Sequence, residues 1–138
     1  MAKKSIDKSI SISNRKARFE YELLEVFTAG IQLQGTEIKS LRTGNANLAE
    51  AYCYVQQSEV WITGMYIAEY QYGSYMNHEP KRLRKLLLNK KEINKISSDL
   101  QNVGITLVPL KLYISDKGWA KIEIALAKGK KLHDKRED

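Results

Sequence analysis

The sequence predicts a mainly β fold: a partly closed, six-stranded antiparallel barrel with about three helices packed on it. Three observations point there. Short alternations of apolar and polar residues recur along the chain, as where Phe19, Tyr21 and Leu23 alternate with Glu20 and Glu22, the pattern of strands with one buried face. Helical periodicities do not alternate regularly with these strands, so nothing builds a parallel βαβ sheet. The length of 138 residues supports one core rather than two.

Residues 1–17 read as a flexible basic lead-in. Residues 18–27 form the first strand, where the doublet Leu23-Leu24 shifts the apolar phase to Leu24 and Val26 and predicts a bulge or a strong bend. After Ala29-Gly30, Ile31 and Leu33 alternate again. Thr36 then suits the N-cap of a short helix whose inner face carries Ile38 and Leu41, with Gly44 past its end. Ala49, Ala51, Cys53 and Val55 line one face of the next strand, and Val60, Ile62 and Gly64, or Trp61, Met65 and Ile67, line the faces of its partner, with the turn at 57–59.

Residues 70–79 lack a period and read as a loop. Pro80 suits the first turn of a helix with Leu83, Leu86 and Leu87 inside and Arg82, Arg84 and Lys85 outside. Asn89 and Glu92 form a capping-box pattern opening a further helix with Ile93, Ile96, Leu100 and Val103 as its buried stripe. The last hairpin places Val108, Leu110, Leu112 and Ile114 inward, turns at 115–118, and returns through Ala120, Ile122, Ile124 and Leu126. Pro109 has no N–H for a ladder and predicts an edge or a bulge.

Charge narrows the function. Lys and Arg total 23 against 16 Asp and Glu, a formal net charge of +7. The cations gather in residues 3–18, 81–91 and 128–136, whereas acids such as Glu20, Glu22 and Glu25 lie apart. That segregation is the footprint of a polyanion binder. The terminal stretch 128–138 is nearly free of apolar side chains and cannot bury enough surface to order itself, which predicts a mobile basic arm. No apolar run is long enough to span a membrane, and Met1-Ala2-Lys3-Lys4 does not open a secretory signal. One cysteine excludes an internal disulfide and fits a reducing, cytoplasmic compartment.

Catalysis finds little support. Cys53 falls on an apolar strand face and reads as a buried, inert thiol; His78 and His133 stand in no catalytic spacing. No phosphate-binding glycine loop and no metal-ligand spacing is present. The expectation is no enzyme activity, no metal, no cofactor and no small-molecule substrate. Tyr66, Tyr70, Tyr72 and Tyr75 cluster near the central loop; amphipathic strand-edge rings are favoured there over base-stacking platforms. The exposed cations of the 80–88 helix, Arg84 and Lys85 among them, suit phosphate contacts.

Four stretches then identify a resemblance: Asn14-Arg15-Lys16-Ala17; residues 30–42, with Gly35-Thr36-Glu37 and Lys39-Ser40-Leu41-Arg42; Arg84-Lys85-Leu86-Leu87-Leu88-Asn89; and residues 128–136. Over essentially its whole length the chain resembles the SsrA-binding protein, or small protein B, family. The resemblance implies an OB-like barrel that binds the tRNA-like domain of transfer-messenger RNA and delivers it to stalled bacterial ribosomes. A separate synthetase would charge that RNA, and a monomer is the expected state. By position it implies RNA contacts from Asn14, Arg15 and Lys16, from Glu37, Lys39, Arg42, Asn45 and Asn47, and from Leu88 and Asn89. To these, charge adds Arg84, Lys85, Lys128, Lys130 and Lys131. His133, with Lys135 and Arg136, is expected at the small-subunit decoding centre, the arm lying along the mRNA path.

Two departures accompany the resemblance. Thr28 stands where many relatives carry an acid, and the chain stops at Asp138, where family tails continue, as a trimmed tail would. The expected organisation is a lead-in at 1–17, an RNA-binding barrel at 18–127 and the start of a basic tail at 128–138. The competing expectation is a general OB-type module for ribosomal or single-stranded RNA.

Overall fold

In a computed structural model describing residues 10–73 and 76–130, the six long strands close into a ring. In chain order the elements are β1 (Ser11–Ser13), α1 (Arg15–Glu20), β2 (Tyr21–Ile31), α2 (Gly35–Arg42), β3 (Ala46–Asn47), β4 (Tyr52–Gln56), β5 (Glu59–Thr63), β6 (Tyr66–Ile67), β7 (Arg84–Leu87), α3 (Lys90–Asp99), β8 (Ile105–Ile114) and β9 (Ala120–Gly129). The order β8-β4-β5-β7-β2-β9 returns to β8 through the β8–β9 pairing, with β1 added outside β8 and β3–β6 forming a separate two-stranded sheet. Closure removes the exposed edges of the ring strands. The predicted antiparallel barrel is therefore present.

Both expected bulges are present. The β2–β9 register shifts between Leu23 and Glu25, and the β8–β9 register shifts between Pro109 and Lys111. The second shift has a consequence for the core. Because side chains alternate strictly, an extra residue moves the succeeding side chains to the other face. Leu107, Leu112 and Ile114 thus join Ile122, Ile124 and Leu126 in the main core. Val108 and Leu110 instead pack with Ala17, Ala125 and Ala127 in a smaller cluster. The single inward set expected from 108 to 114 is split between two cores.

The smaller cluster explains an element absent from the sequence-based expectation. Residues 11–17, expected as unstructured lead-in, form β1 and the start of α1. Residues 18–20, expected in the first strand, complete that helix, so the strand begins at Tyr21. Asn14 is the clasp. Its Oδ1 accepts from Ala17 N–H at 3.2 Å, and its Nδ2 donates to the Pro109 carbonyl at 2.9 Å. One amide thus caps α1 and satisfies a carbonyl at the bulge.

The larger correction concerns residues 80–88, expected as a basic helix. Residues 84–87 are strand β7, paired with Val60, Trp61 and Ile62 on β5 and with Gly30 and Ile31 on β2. Arg84 and Leu86 point inward, Leu87 outward. The alternation is genuine, but an arginine occupies an inward position and disguises it. Ala29-Gly30 does not end β2 either, so the residue 31–34 strand is partly absorbed into it. The number of ring strands matches the expectation through a different membership.

The β4–β5 hairpin turns at Gln57 and Ser58, both in the left-handed region with φ of 54° and 62°, the two-residue turn that matches strand twist. Asn89 and Glu92 make the expected capping box at α3, with bonds of 2.9 and 3.1 Å. At α2 the cap is Gln34 rather than Thr36, its N–H donating to Glu37 Oε1 at 2.7 Å.

Candidate nucleic-acid interface

The residues singled out from sequence divide into those the barrel buries and those it displays. Glu37 and Arg84 are both 0% exposed. Arg84 Nε donates to Glu37 Oε2 at 2.7 Å, with Nη2 2.6 Å from the same oxygen as an ion pair. Nη1 donates to the Met65 carbonyl at 2.8 Å and Nη2 to the Pro80 carbonyl at 3.1 Å. Arg82 reaches the same carboxylate from the rim, with Nη2 2.7 Å from Oε1 and Nε 3.2 Å from Oε2. Burial by itself would raise the Glu37 carboxyl, but the Arg82 hydrogen bond, the Gln34 N–H and the Arg84 charge outweigh it and hold the group below its ordinary value. Glu37 is an anion locked between two cations.

The sequence predicts Arg84 on an exposed helix face and Glu37 on an RNA-contacting surface; neither has surface to offer. Their role is positioning. The carboxylate sits in the first turn of α2 and the guanidinium on β7, so the pair fixes the helix against the barrel. His78, 3% exposed, reinforces the joint. Its Nε2 lies 2.8 Å from the Ile67 carbonyl, so that nitrogen must donate. The Thr36 hydroxyl lies 2.8 Å from Nδ1 at the other end of the ring.

Asn14 is also buried and committed to the bonds already described. Leu88 packs against the main core, and Asn89 is occupied as the α3 cap. Lys85 lies on the outside of β7, paired with Glu59 at 3.4 Å. Asn14 is thus enclosed by the fold, whereas Lys85 and Leu88 are half-buried and Asn89 is exposed beside its cap.

Other expected residues are displayed. Arg15 and Lys16 are exposed on α1, and Lys128 and Lys130 at the end of β9. Lys130 N–H donates to the Glu20 carbonyl at 2.9 Å, and its ammonium lies 5.9 Å from the Phe19 ring centre. Lys39 and Arg42 project from α2, followed by exposed Asn45 and Asn47 in the turn that leads to and forms β3. The Asn47 carboxamide accepts from Ala49 N–H at 2.7 Å, fixing that turn. Lys39 stands 5.6 Å from the Tyr70 ring, which meets Tyr72 edge-on at a centroid separation of 5.6 Å. Tyr70 is half-buried and Tyr72 exposed, a mixed outcome for the tyrosine cluster. Lys131, His133, Lys135 and Arg136, and likewise Tyr75, lie outside the described residues.

Asn14 Nδ2, 3.4 Å from the Leu48 carbonyl, sets Arg15 and Lys16 beside the turn that carries Asn47. Arg42, whose guanidinium approaches Gly118 in the β8–β9 turn, and Lys128 at the far end of β9 instead mark opposite ends of one ribbon. Along β2 and β9, Tyr21 pairs with Gly129 at one end and Gly30 with Lys121 at the other. At about 3.3 Å per residue these ends lie roughly 30 Å apart. At the Gly30 end an open cleft of about 700 Å³ is lined by Leu33, Ile38, Leu87, Trp119 and Lys121 among others. Trp119 is not among the residues singled out from sequence. A signal is present there: it comes directly after the turn and next to inward-facing Ala120, which puts a large ring on the solvent side.

Among the described residues no group of His, Cys, Asp or Glu could hold a metal ion, and no helix is long and apolar enough to cross a membrane. Cys53 is buried, and desolvation raises its thiol far above the ordinary range, so it is held as the neutral thiol.

Comparison with known proteins supplies the family. A family model described as SmpB protein matches residues 11–138. The chain belongs to the SmpB family. The SsrA-binding protein of Phocaeicola vulgatus is 56% identical over 128 residues, covering 93% of this chain and 85% of the relative. That of Allorhizobium ampelinum is 52% identical over 136 residues, covering 99% and 85%. A solved chain described as "tmRNA-SmpB: a journey to the center of the bacterial ribosome" superposes with a TM-score of 0.76 at 43% identity, covering 94% of this chain and 91% of that one. As an SmpB-family member, the chain shares with that solved structure the barrel just described.

Proposed function

We propose that this SmpB-family chain is an RNA-binding factor of trans-translation. It grips the tRNA-like domain of transfer-messenger RNA and brings it to stalled ribosomes in the bacterial cytoplasm. The observation that carries this reading is the 43% identical structural match to a chain described with tmRNA and the ribosome. The geometry supports a division of labour. The α2 end, with Lys39, Arg42, Asn45 and Asn47 displayed on a braced helix and turn, holds RNA. Arg15 and Lys16 on α1 add RNA contacts beside the Asn47 turn, and the end of β9, with Lys128 and Lys130, leads into the basic arm. Lys131, His133, Lys135 and Arg136 come next, and the reading assigns the last three to the decoding centre.

The protein's part is to bind and orient; the reading gives it no bond to make or break. Contacts of this kind go chiefly to phosphates and folded shape. Affinity for the tRNA-like domain is therefore expected to fall by roughly 0.7–0.9 log units per log unit of salt for each phosphate neutralised. Binding measured from low to moderate salt checks this, and a flat salt response would refute the mechanism. An unstructured RNA of equal length separates this reading from a general single-strand binder, which would hold both RNAs alike.

A further inference from the structure

The Gly30-end cleft has chemistry that the proposed phosphate contacts do not use. Its walls are mainly apolar, from Leu33, Ile38 and Leu87, with a large aromatic ring beside them. Trp119 is 67% exposed. Its backbone is nevertheless held at both ends. Its N–H donates to Ser115 Oγ at 3.2 Å, and its carbonyl accepts from Ser115 N–H at 2.8 Å. The ring is thus presented from a rigid hairpin and stacks on no other aromatic among the described residues.

The rim is positive. Lys121 is a lining residue, and a side chain at Gly118 would meet the Arg42 guanidinium at 3.9 Å. Arg42 makes no ion pair among the described residues. An apolar slot with a flat wall and a cationic rim is complementary to one ligand chemistry above others: an aromatic base on an anionic backbone. The volume of about 700 Å³ lies within the range of ligand clefts and leaves room for a splayed nucleotide. A base inside a duplex, stacked on both faces, could not enter.

We propose that this cleft receives an unpaired nucleobase of the bound RNA, stacked on the Trp119 indole, with the flanking phosphates held by Arg42 and Lys121. The inference rests on the RNA-binding reading above. Stacking is tolerant of base identity because every base has a π-face, so the cleft selects an extruded nucleotide rather than a sequence. Trp119 is then an RNA-contacting residue, and Leu33, Ile38 and Leu87 shape its slot.

The test uses the full chain and a transcript of the tRNA-like domain of transfer-messenger RNA. Trp119→Ala is expected to weaken binding by roughly 5- to 150-fold, the span of a lost base stack, while Trp119→Phe retains most of the affinity. In Trp61→Phe, where Trp119 is the remaining tryptophan, emission is expected to be quenched by this transcript and not by a fully paired RNA of equal length. The quench decides the matter should Trp119→Ala lower stability. Wild-type affinity in Trp119→Ala, or unquenched Trp119 emission at saturation, would overturn the inference and leave the RNA-binding reading standing. Wild-type self-association that Trp119→Ala abolishes, with RNA affinity intact, would give the cleft to a second copy and overturn it too. Failure of the wild type to bind the transcript would overturn both.

Discussion

Two clusters at the α2 end contain the same kinds of residue and behave as opposites. In the Glu37–Arg82–Arg84 cluster every strong donor and acceptor is matched, and Arg84 is fully buried. A few residues away, Lys39 and Arg42 are exposed, and Trp119 stands over an open apolar cleft. In the first cluster only Arg82, at the rim, keeps any surface. The second has surface and field but few internal partners. On the proposed reading, cation-rich segments serve two purposes: some arginines brace the scaffold so that others can grip. A buried ion pair roughly breaks even against an apolar replacement, but losing one partner strands a charge. Bracing and gripping should therefore fail in different experiments.

The sharpest way to break the contrast is Arg84→Met, which removes the buried cation while keeping bulk. It leaves the Glu37 carboxylate in the interior with only the rim-exposed Arg82. We expect about 3–5 kcal/mol of lost stability in urea unfolding. The double change Glu37→Leu with Arg84→Met should recover most of it, since no charge is then stranded.

A smaller effect comes from acid. Glu37 is held below its ordinary carboxyl value of 4.5. Its contribution to stability is therefore fully present above the unfolded value and lost as pH falls through the folded one. Urea midpoints measured downward from neutral pH should show that acid limb, and Glu37→Gln should remove it.

The smallest stability change belongs to the gripping side. Lys39→Ala with Arg42→Ala should shift unfolding by no more than about 0.5 kcal/mol. The same variant should weaken RNA binding and reduce the magnitude of the salt slope by about one for each phosphate no longer neutralised. A large loss of stability would mean that these cations brace the fold as well.

Much of this architecture is legible in the sequence because it rests on local rules. The bulge at Leu23-Leu24, the turn near Gln57, the Asn89–Glu92 cap and the β8–β9 hairpin derive from alternation, missing donors and capping chemistry. The 80–88 segment imitates a helix because Arg84 stands where a strand pattern needs an apolar side chain, and its partner Glu37 is distant in sequence. The α1 helix escapes sequence reasoning for a similar reason: much of its support is a clasp from Asn14 to Pro109 across the fold.

Composition and order along the chain are enough to establish the mainly β class, the excess of positive charge and, through four characteristic stretches, the family. Availability of the charged residues is not set until the barrel closes. Glu37 and Arg84 neutralise each other across the closed barrel, whereas Lys39 and Arg42 extend from a helix fixed by that pair. Burial is a property of whatever comes to lie above a residue, and in a ring of antiparallel strands that is set by distant segments.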